Sequence, residues 1–132
     1  MTTSIDPSVT AAVQTAIAAY AQALDGDRPD DIAALFTPDG VAEIVGMAKF
    51  EGREAIRQGF GGFSPQAPQL HLIANTVVTS ATEDEATATS NLAFFARGEA
   101  GWTVQMVGRY DDVLRREDGT WLFKQRVMTF AE

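Results

Sequence analysis

The feature that most constrains the fold is the second half of the chain, where long strand-like segments alternate with short polar breaks. Each segment is rich in β-branched and aromatic residues, and each break is short enough to be a hairpin loop. The sequence therefore predicts a meander of antiparallel strands in this half. The predicted strands are 70–80, 86–97, 102–115 and 120–130.

The first half of the chain has the periodicity of helices rather than of strands. Apolar residues recur at spacings of three and four from Val9 to Leu24, which predicts a first helix over 4–27 with one buried face. The other elements predicted for this half are a short helix from Pro29 to just before Pro38, a turn at 37–40, a short strand at 41–45 with its return at 46–50, and a third helix at 52–60.

Helices followed by a long antiparallel sheet indicate the α+β class. The N-terminal helices are the elements available to cover the apolar face of the sheet. We therefore expect a curled, mostly antiparallel sheet covered by three N-terminal helices, with a pocket where helix and sheet do not meet. A chain of 132 residues is expected to form a single domain, here over 1–132.

The composition narrows the chemistry that such a pocket performs. The chain has no cysteine and one histidine, His71, so we expect no disulfide, no thiolate chemistry and no multi-histidine metal site. No phosphate loop, dinucleotide fingerprint or serine-elbow motif is present, and no cofactor is expected. The net charge of -8 argues against nucleic acid and anionic membranes as partners.

The N-terminus and the hydropathy pattern bear on location. Residues 1–10 have neither a basic region nor an apolar region of the kind that a secretory signal carries. No apolar run approaches the ~20 residues that a membrane span needs. A cytoplasmic location without membrane association is the expectation.

His71 opens a predicted strand and shares one face of it with Asn75 and with apolar residues. A lone histidine on such a face is more often a hydrogen-bonded core residue than a catalyst. Histidine is also the side chain that titrates nearest to neutral pH, so His71 is the candidate acid or base for a proton transfer. Such a base needs an acceptor on its other ring nitrogen. Asp25 supplies that acceptor if the helix end and the strand start meet at the pocket.

Asp25 stands at the predicted C-terminus of the first helix. The negative end of the helix dipole disfavours a carboxylate there by a few tenths of a kcal/mol to about 1 kcal/mol. A solvated acid at a helix end is the common explanation. An acid directed at a partner inside the fold is the other, and the residue pattern leaves both open.

Arg126 lies on the last predicted strand, and strict alternation turns it outward. A bulge would turn it inward, where it could bind a substrate oxygen or an acid. Asp111 and Asp112, on the preceding strand, have the composition of a solvated sheet end. The face of the last strand that is predicted to be buried carries Trp121, Phe123, Gln125 and Val127.

Several short segments follow one another in a recognisable order. They are YAQALD at 20–25, LFTPDG at 35–40, FEGREAI at 50–56, His71 with Asn75, GRYDD at 108–112, and GTWLF at 119–123 with Arg126. In this order and spacing, the chain from about Val9 to Met128 resembles the SnoaL-like branch of the nuclear-transport-factor-2-like superfamily. This branch includes scytalone dehydratase, bile acid dehydratase and polyketide cyclase relatives.

The resemblance implies a cone-shaped α+β barrel whose wide end is closed by helices. In dehydratase-like members, an aspartate at the end of the first helix orients a histidine on a strand. Asp25 and His71 stand at those positions in this chain, so the resemblance implies that they form a catalytic dyad.

We therefore expect a cofactor-independent enzyme that uses Asp25 and His71 for general acid/base chemistry on a hydrophobic, carbonyl-bearing or polycyclic substrate. The reaction would be that of a dehydratase or other lyase, an isomerase or a cyclase. The alternative hypothesis is a non-catalytic ligand-binding or dimerisation module of the same fold. A homodimer through the sheet face is expected in either case. The candidate substrate-binding residues are Tyr20, Phe50, Asn75, Phe95, Trp102, Met106 and Arg126, together with Phe60 and Phe63 in a glycine-rich flap.

Overall fold

The computed structural model describes residues 4–131 and folds them into three helices and six strands. The helices come first and the long strands last, so the predicted α+β class is confirmed. In chain order the elements are α1 (Pro7–Asp25), α2 (Pro29–Ala34), β1 (Phe36–Ile44), β2 (Ala48–Glu51), α3 (Arg53–Gly61), β3 (Gln69–Ala81), β4 (Glu85–Gly98), β5 (Gly101–Glu117) and β6 (Thr120–Phe130).

The turn predicted at 37–40 is wrong, because these residues belong to β1. The carbonyl of Phe36 accepts hydrogen bonds from the Arg53 guanidinium, and the carbonyl of Gly40 accepts one from the Gly52 amide at 2.7 Å. Bonds to distant parts of the chain thus hold this segment extended, in spite of its turn-like composition. It forms the irregular part of β1, where the register with β6 shifts.

The six strands form one sheet in the order β2-β1-β6-β5-β4-β3. Neighbouring strands are antiparallel except β1 and β6, which run parallel. Because β2 and β3 lie at opposite edges and do not pair, the sheet is an open, curled layer. The sheet therefore does not close into the barrel that the resemblance implies.

The helices cover the inner face of the curled sheet. Helix α1 packs on β3 and β6, and α2 and α3 pack on each other and on β1. Among the residues described, no helix is long and apolar enough to cross a bilayer. The buried face of α1 carries apolar side chains at helical spacing, namely Val13, Ala16, Ile17, Tyr20, Ala21 and Ala23.

Bulges in β3, β5 and β6 decide which side chains face the helices. A bulge adds one residue to one strand, so the alternation of faces shifts by one residue beyond it. The register shows an extra residue at 75–76 in β3, at Gln105 in β5 and at Lys124 in β6. Simple alternation therefore fails beyond each of these positions.

Each bulge overturns a predicted face. Asn75 adopts a φ of 57° and is exposed, so it does not share the inward face of His71. Trp102 lies beyond the bulge in β5, on the outer face, and is 51% exposed. In β6 the bulge turns Gln125 outward and Arg126 inward, where Arg126 is buried.

Phe95 also lies on the outer face, for a simpler reason. The buried face of β4 carries Leu92, and Phe94 follows it on the same side. The side chain of Phe95 lies on the opposite face of β4 from Phe94. Phe95 pairs with Leu70 and Val104, both of which are exposed. The assignment of Phe95 to the pocket is therefore corrected.

Candidate functional site

A cavity of about 340 Å³ lies between α1, α3 and the inner face of the sheet. Its walls are mostly apolar, which is typical of a small-molecule site. The few polar side chains that reach it include His71 and Arg126. The aromatic and sulfur-containing residues of its wall are Tyr20, Met47, Phe50, Phe60, Phe63, Phe94, Met106, Tyr110, Met128 and Phe130.

The structure brings Asp25 and His71 together at this cavity. Asp25 is the last residue of α1 and His71 is the third residue of β3, and the Asp25 Oδ1 atom lies 2.6 Å from the His71 Nδ1 atom. A carboxylate can only accept, so the imidazole donates its Nδ1–H. This bond fixes the tautomer and leaves the Nε2 lone pair available for a proton.

Two further donors hold the Asp25 carboxylate in place. The His71 backbone amide donates to Oδ2 at 2.8 Å, and the Gln69 side-chain amide donates to Oδ1 at 3.1 Å. Three hydrogen bonds offset the unfavourable position of a carboxylate at a helix C-terminus. The solvated-acid explanation of Asp25 does not hold, since its side chain is only 14% exposed.

The ring of His71 is also fixed by packing. It stacks on Phe94 with ring centroids 4.5 Å apart and an interplanar angle of 28°. The His71 side chain is 10% exposed and lines the cavity. An imidazole that is held on one nitrogen and on one face keeps a defined orientation at the cavity wall.

Arg126 and Asp112 form a second charged pair deeper in the fold. Their side chains are 1% and 0% exposed, and Arg126 Nε lies 3.1 Å from Asp112 Oδ1. The prediction that Asp112 is solvated is therefore wrong, because alternation along β5 turns it inward beside Tyr110. Burial raises the pKa of Asp112 to about 6, although the nearby guanidinium of Arg126 favours the charged form.

The guanidinium of Arg126 lies against two tyrosine rings in the cavity wall. Its carbon Cζ lies 4.3 Å from the ring centroid of Tyr20 and 3.6 Å from that of Tyr110. The nitrogen atoms are buried, and they make no hydrogen bond of good geometry with residues 4–131. Arg126 therefore brings an unpaired set of donors and a positive charge to the cavity wall, as a strand bulge was expected to allow.

The predicted pocket residues fall into two groups. Tyr20, Phe50 and Met106 line the cavity, whereas Asn75, Phe95 and Trp102 do not. Sequence reasoning missed Phe94 and Gln69. Finding Phe94 would have required knowing which face of β4 is buried, and Gln69 carries no sequence signal of its own.

No metal-binding group of three or more histidine, aspartate or glutamate side chains occurs in the part of the chain that the structure describes. The Asp25 carboxylate and the His71 imidazole hydrogen-bond to one another. The arrangement is suited to moving a proton at Nε2 of His71.

Gly59 makes room for one wall of the cavity. It lies in α3, and a Cβ at this position would overlap the ring of Phe50. That ring is confined by Phe60 and Phe63, whose centroids lie 5.5 and 6.2 Å from its own. We expect Gly59→Ala to lower the free energy of unfolding by about 1–3 kcal/mol relative to Gly61→Ala, as measured by urea denaturation.

The control for this substitution lies in the same helix. A Cβ at Gly61 would meet nothing within 4 Å, so Gly61→Ala should be neutral or stabilising. Equal stability of the two variants would show that Phe50 moves aside at no cost.

The open curled sheet, the covering helices and the apolar cavity define an α+β domain whose cavity has the size and lining of a small-molecule site. The chain belongs to the family of SnoaL-like domains, whose model matches residues 8–127. This confirms the family and the fold suggested by the sequence resemblance. No curated protein matches the chain in sequence.

Solved structures share this fold along nearly the whole chain. Rv3472, a protein of unknown function from Mycobacterium tuberculosis, has a TM-score of 0.87 at 24% identity, covering 94% of this chain and 72% of that one. A protein from Catenulispora acidiphila, solved in complex with S-DNPA, has a TM-score of 0.83 at 27% identity, covering 95% of each chain. An NTF2-like protein with a cystatin-like fold from Novosphingobium aromaticivorans has a TM-score of 0.84 at 20% identity, covering 93% of this chain and 82% of that one.

Proposed function

We propose that the protein is a cofactor-independent enzyme in which His71, oriented by Asp25, moves a proton on a small hydrophobic substrate. The observation that supports this most strongly is the 2.6 Å hydrogen bond between the two side chains at the wall of an apolar cavity. A base held by an orienting acceptor and facing a cavity is the arrangement that general base catalysis requires.

The proposed first step is removal of a proton from carbon next to a carbonyl or a leaving group. The Nε2 atom of His71 accepts the proton, and the Asp25 carboxylate stabilises the imidazolium that forms. Elimination, isomerisation and ring closure share this step, so a dehydratase or other lyase, an isomerase and a cyclase are the reaction classes that fit. The apolar wall favours a carbonyl-bearing or polycyclic substrate. The relative solved with S-DNPA shows that this fold accommodates a bound ligand in another protein.

The test is proton exchange on a panel of small hydrophobic ketones, including 2-tetralone, in deuterated buffer. Nuclear magnetic resonance measures loss of the proton next to the carbonyl with and without protein. Catalysed exchange that disappears in His71→Ala supports the proposal. Exchange that is unchanged in His71→Ala would refute the role of this base.

The outer face of the sheet favours a second function, association with another copy of the chain. We propose a homodimer through this face, as expected from the sequence. The outer face bears a group of large, uncharged side chains, and apolar groups of this kind mark interaction sites when they are contiguous. The most exposed of them are Leu72, Val77, Trp102, Val104 and Val107, at 50, 54, 51, 56 and 51%.

We expect Val104→Glu to convert the dimer into a monomer in analytical ultracentrifugation. Two copies of the introduced carboxylate would lie at a contact related by twofold symmetry, where neither is paired. Val45→Glu is the matched control, because Val45 is 44% exposed but lies after β1 and away from the outer face of β3 to β5. A wild type that sediments as a monomer at micromolar concentration would contradict the dimer.

A further inference from the structure

Gln69 is the third side chain of the hydrogen-bonded group at the end of α1. Its amide nitrogen donates to the Asp25 Oδ1 atom at 3.1 Å, and the same oxygen accepts from the His71 ring at 2.6 Å. Gln69 and His71 lie two residues apart in β3, so their side chains point to the same face of the sheet. His71 lines the cavity, whereas Gln69 and Asp25 do not. Gln69 therefore acts on a ligand only through the other two side chains.

The main chain around Gln69 is fixed by pairing with β4. Gln69 pairs with Ala96, and the carbonyl of Pro68 accepts a hydrogen bond from the Arg97 amide at 2.9 Å. A side chain on a paired strand is placed more precisely than one on a loop. The Gln69 amide is therefore a donor in a defined place beside the last residue of α1.

Two donors from β3 define the plane of the Asp25 carboxylate. The His71 backbone amide donates to Oδ2 at 2.8 Å, and the Gln69 side chain donates to the other oxygen. A carboxylate with a single donor turns readily, because the torsion next to it has broad minima. With a donor on each oxygen, Oδ1 stays opposite the Nδ1 atom of the ring.

Gln69 makes this bond without adding charge. A lysine or arginine in its place would bring a cation to the carboxylate and weaken the support that Asp25 gives to an imidazolium. A neutral amide orients the carboxylate and leaves its negative charge for the ring of His71.

We propose that Gln69 is a positioning residue, which holds the Asp25 carboxylate so that the His71 ring keeps its proton on Nδ1. The consequence for catalysis rests on the proposed function, whereas the effect on the ring does not. The site is then a chain of three side chains, of which His71 alone meets the ligand.

The test measures how often the bond between the ring and the carboxylate opens. Because the chain has one histidine, labelling histidine with a nitrogen isotope makes its ring N–H signal unambiguous in nuclear magnetic resonance. The exchange of this proton with water reports opening of the bond. Gln69→Met keeps the length of the side chain and removes the donor. Exchange should become about tenfold to a hundredfold faster, since a hydrogen bond to a charged group is lost.

Two further variants complete the series. Gln69→Glu keeps the shape but places a second carboxylate beside Asp25 at neutral pH, so it should exchange at least as fast as Gln69→Met. Gln66→Met is the matched control, because Gln66 is exposed and donates to the backbone carbonyl of Ser64 in the preceding loop. Its exchange rate should equal that of the wild type.

Turnover provides a second readout. For any ketone that the protein turns over, Gln69→Met should lower kcat by about tenfold or more and leave KM unchanged, because Gln69 does not line the cavity. A purely structural role would lower the free energy of unfolding without changing the exchange rate of the ring proton.

The outcomes separate positioning from general loosening. Faster exchange in both Gln69 variants, with the wild-type rate in Gln66→Met, supports the proposal. An unchanged rate in Gln69→Met would overturn it, and so would equally faster exchange in Gln66→Met. If no ketone is turned over but exchange is faster in the Gln69 variants alone, the proposed function fails while the positioning of the ring stands.

Discussion

Replacing His71 by alanine is expected to lower kcat/KM for any ketone that the protein turns over by about 10²–10⁴-fold. The reason is the geometry of the pair. Asp25 fixes Nδ1 at 2.6 Å, and Phe94 stacks on the ring, so Nε2 is the one ring nitrogen left to exchange protons with a ligand. Rates are measured by proton exchange or by turnover of the same ketone.

Asp25→Asn should lower the rate by at least about 10²-fold, although it keeps the shape of the side chain. The carboxylate accepts three hydrogen bonds from the Gln69 amide, the His71 ring and the His71 backbone. An asparagine offers one acceptor oxygen, so at least one donor is left unpaired. If its amide nitrogen faces the ring, the imidazole must take the other tautomer, and Nε2 then no longer accepts a proton.

Asp27→Asn is the matched control for the second variant. Asp27 lies two residues beyond Asp25 and bonds to the Ser64 hydroxyl on the exposed surface. Its φ of 55° is one that asparagine tolerates. Activity should be unchanged in this control. Full turnover in both His71→Ala and Asp25→Asn would contradict the catalytic pair.

Local signals made much of the fold predictable. The long strands end within two residues of their predicted positions, because hairpin loops and strand composition are properties of short sequences. The stretch at 37–40 was misassigned because its conformation depends on distant partners. Arg53 donates to the carbonyl of Phe36, just before that stretch, and Gly52 donates to the carbonyl of Gly40 at its end. These bonds hold the stretch in β1.

The site was less predictable than the fold, because single bulges decide which side chains of a strand face the cavity. Simple alternation predicts that Trp102 and Met106 lie on the same face of β5. The extra residue at Gln105 puts them on opposite faces. The same effect removed Asn75 from the cavity and brought Arg126 to its wall. A bulge is set by pairing between strands, so no pattern within one strand reveals it. Asp25 and His71 were identified by resemblance to a family, since the residue pattern left a solvated acid as the common explanation.

Replacing Arg126 by methionine is expected to reduce the free energy of unfolding by about 3–5 kcal/mol at pH 7. The substitution leaves the carboxylate of Asp112 buried without its cation, at a site where the side chain is 0% exposed. Urea unfolding measures the loss. The double variant Arg126→Met with Asp112→Leu should regain most of it, because apolar side chains that replace a whole buried pair are often neutral or stabilising. If the double variant is as unstable as the single one, lost packing rather than the unpaired charge is the cause.

The pH dependence of the Arg126→Met variant provides an independent check. In the wild type, burial raises the folded-state pKa of Asp112 from 3.8 to about 6, so its contribution to stability falls as pH rises through this interval. Removing Arg126 takes away the group that favours the charged form, and the folded-state pKa rises further. The protonated carboxyl carries no unpaired charge, so the loss of stability in Arg126→Met should be smaller at pH 5 than at pH 7. A loss that is equal at both pH values would show that Asp112 is not the group left uncompensated. A loss that occurs only at pH 7 would show that Arg126 stabilises the cavity wall through its ion pair with Asp112, and not through the shape of its side chain.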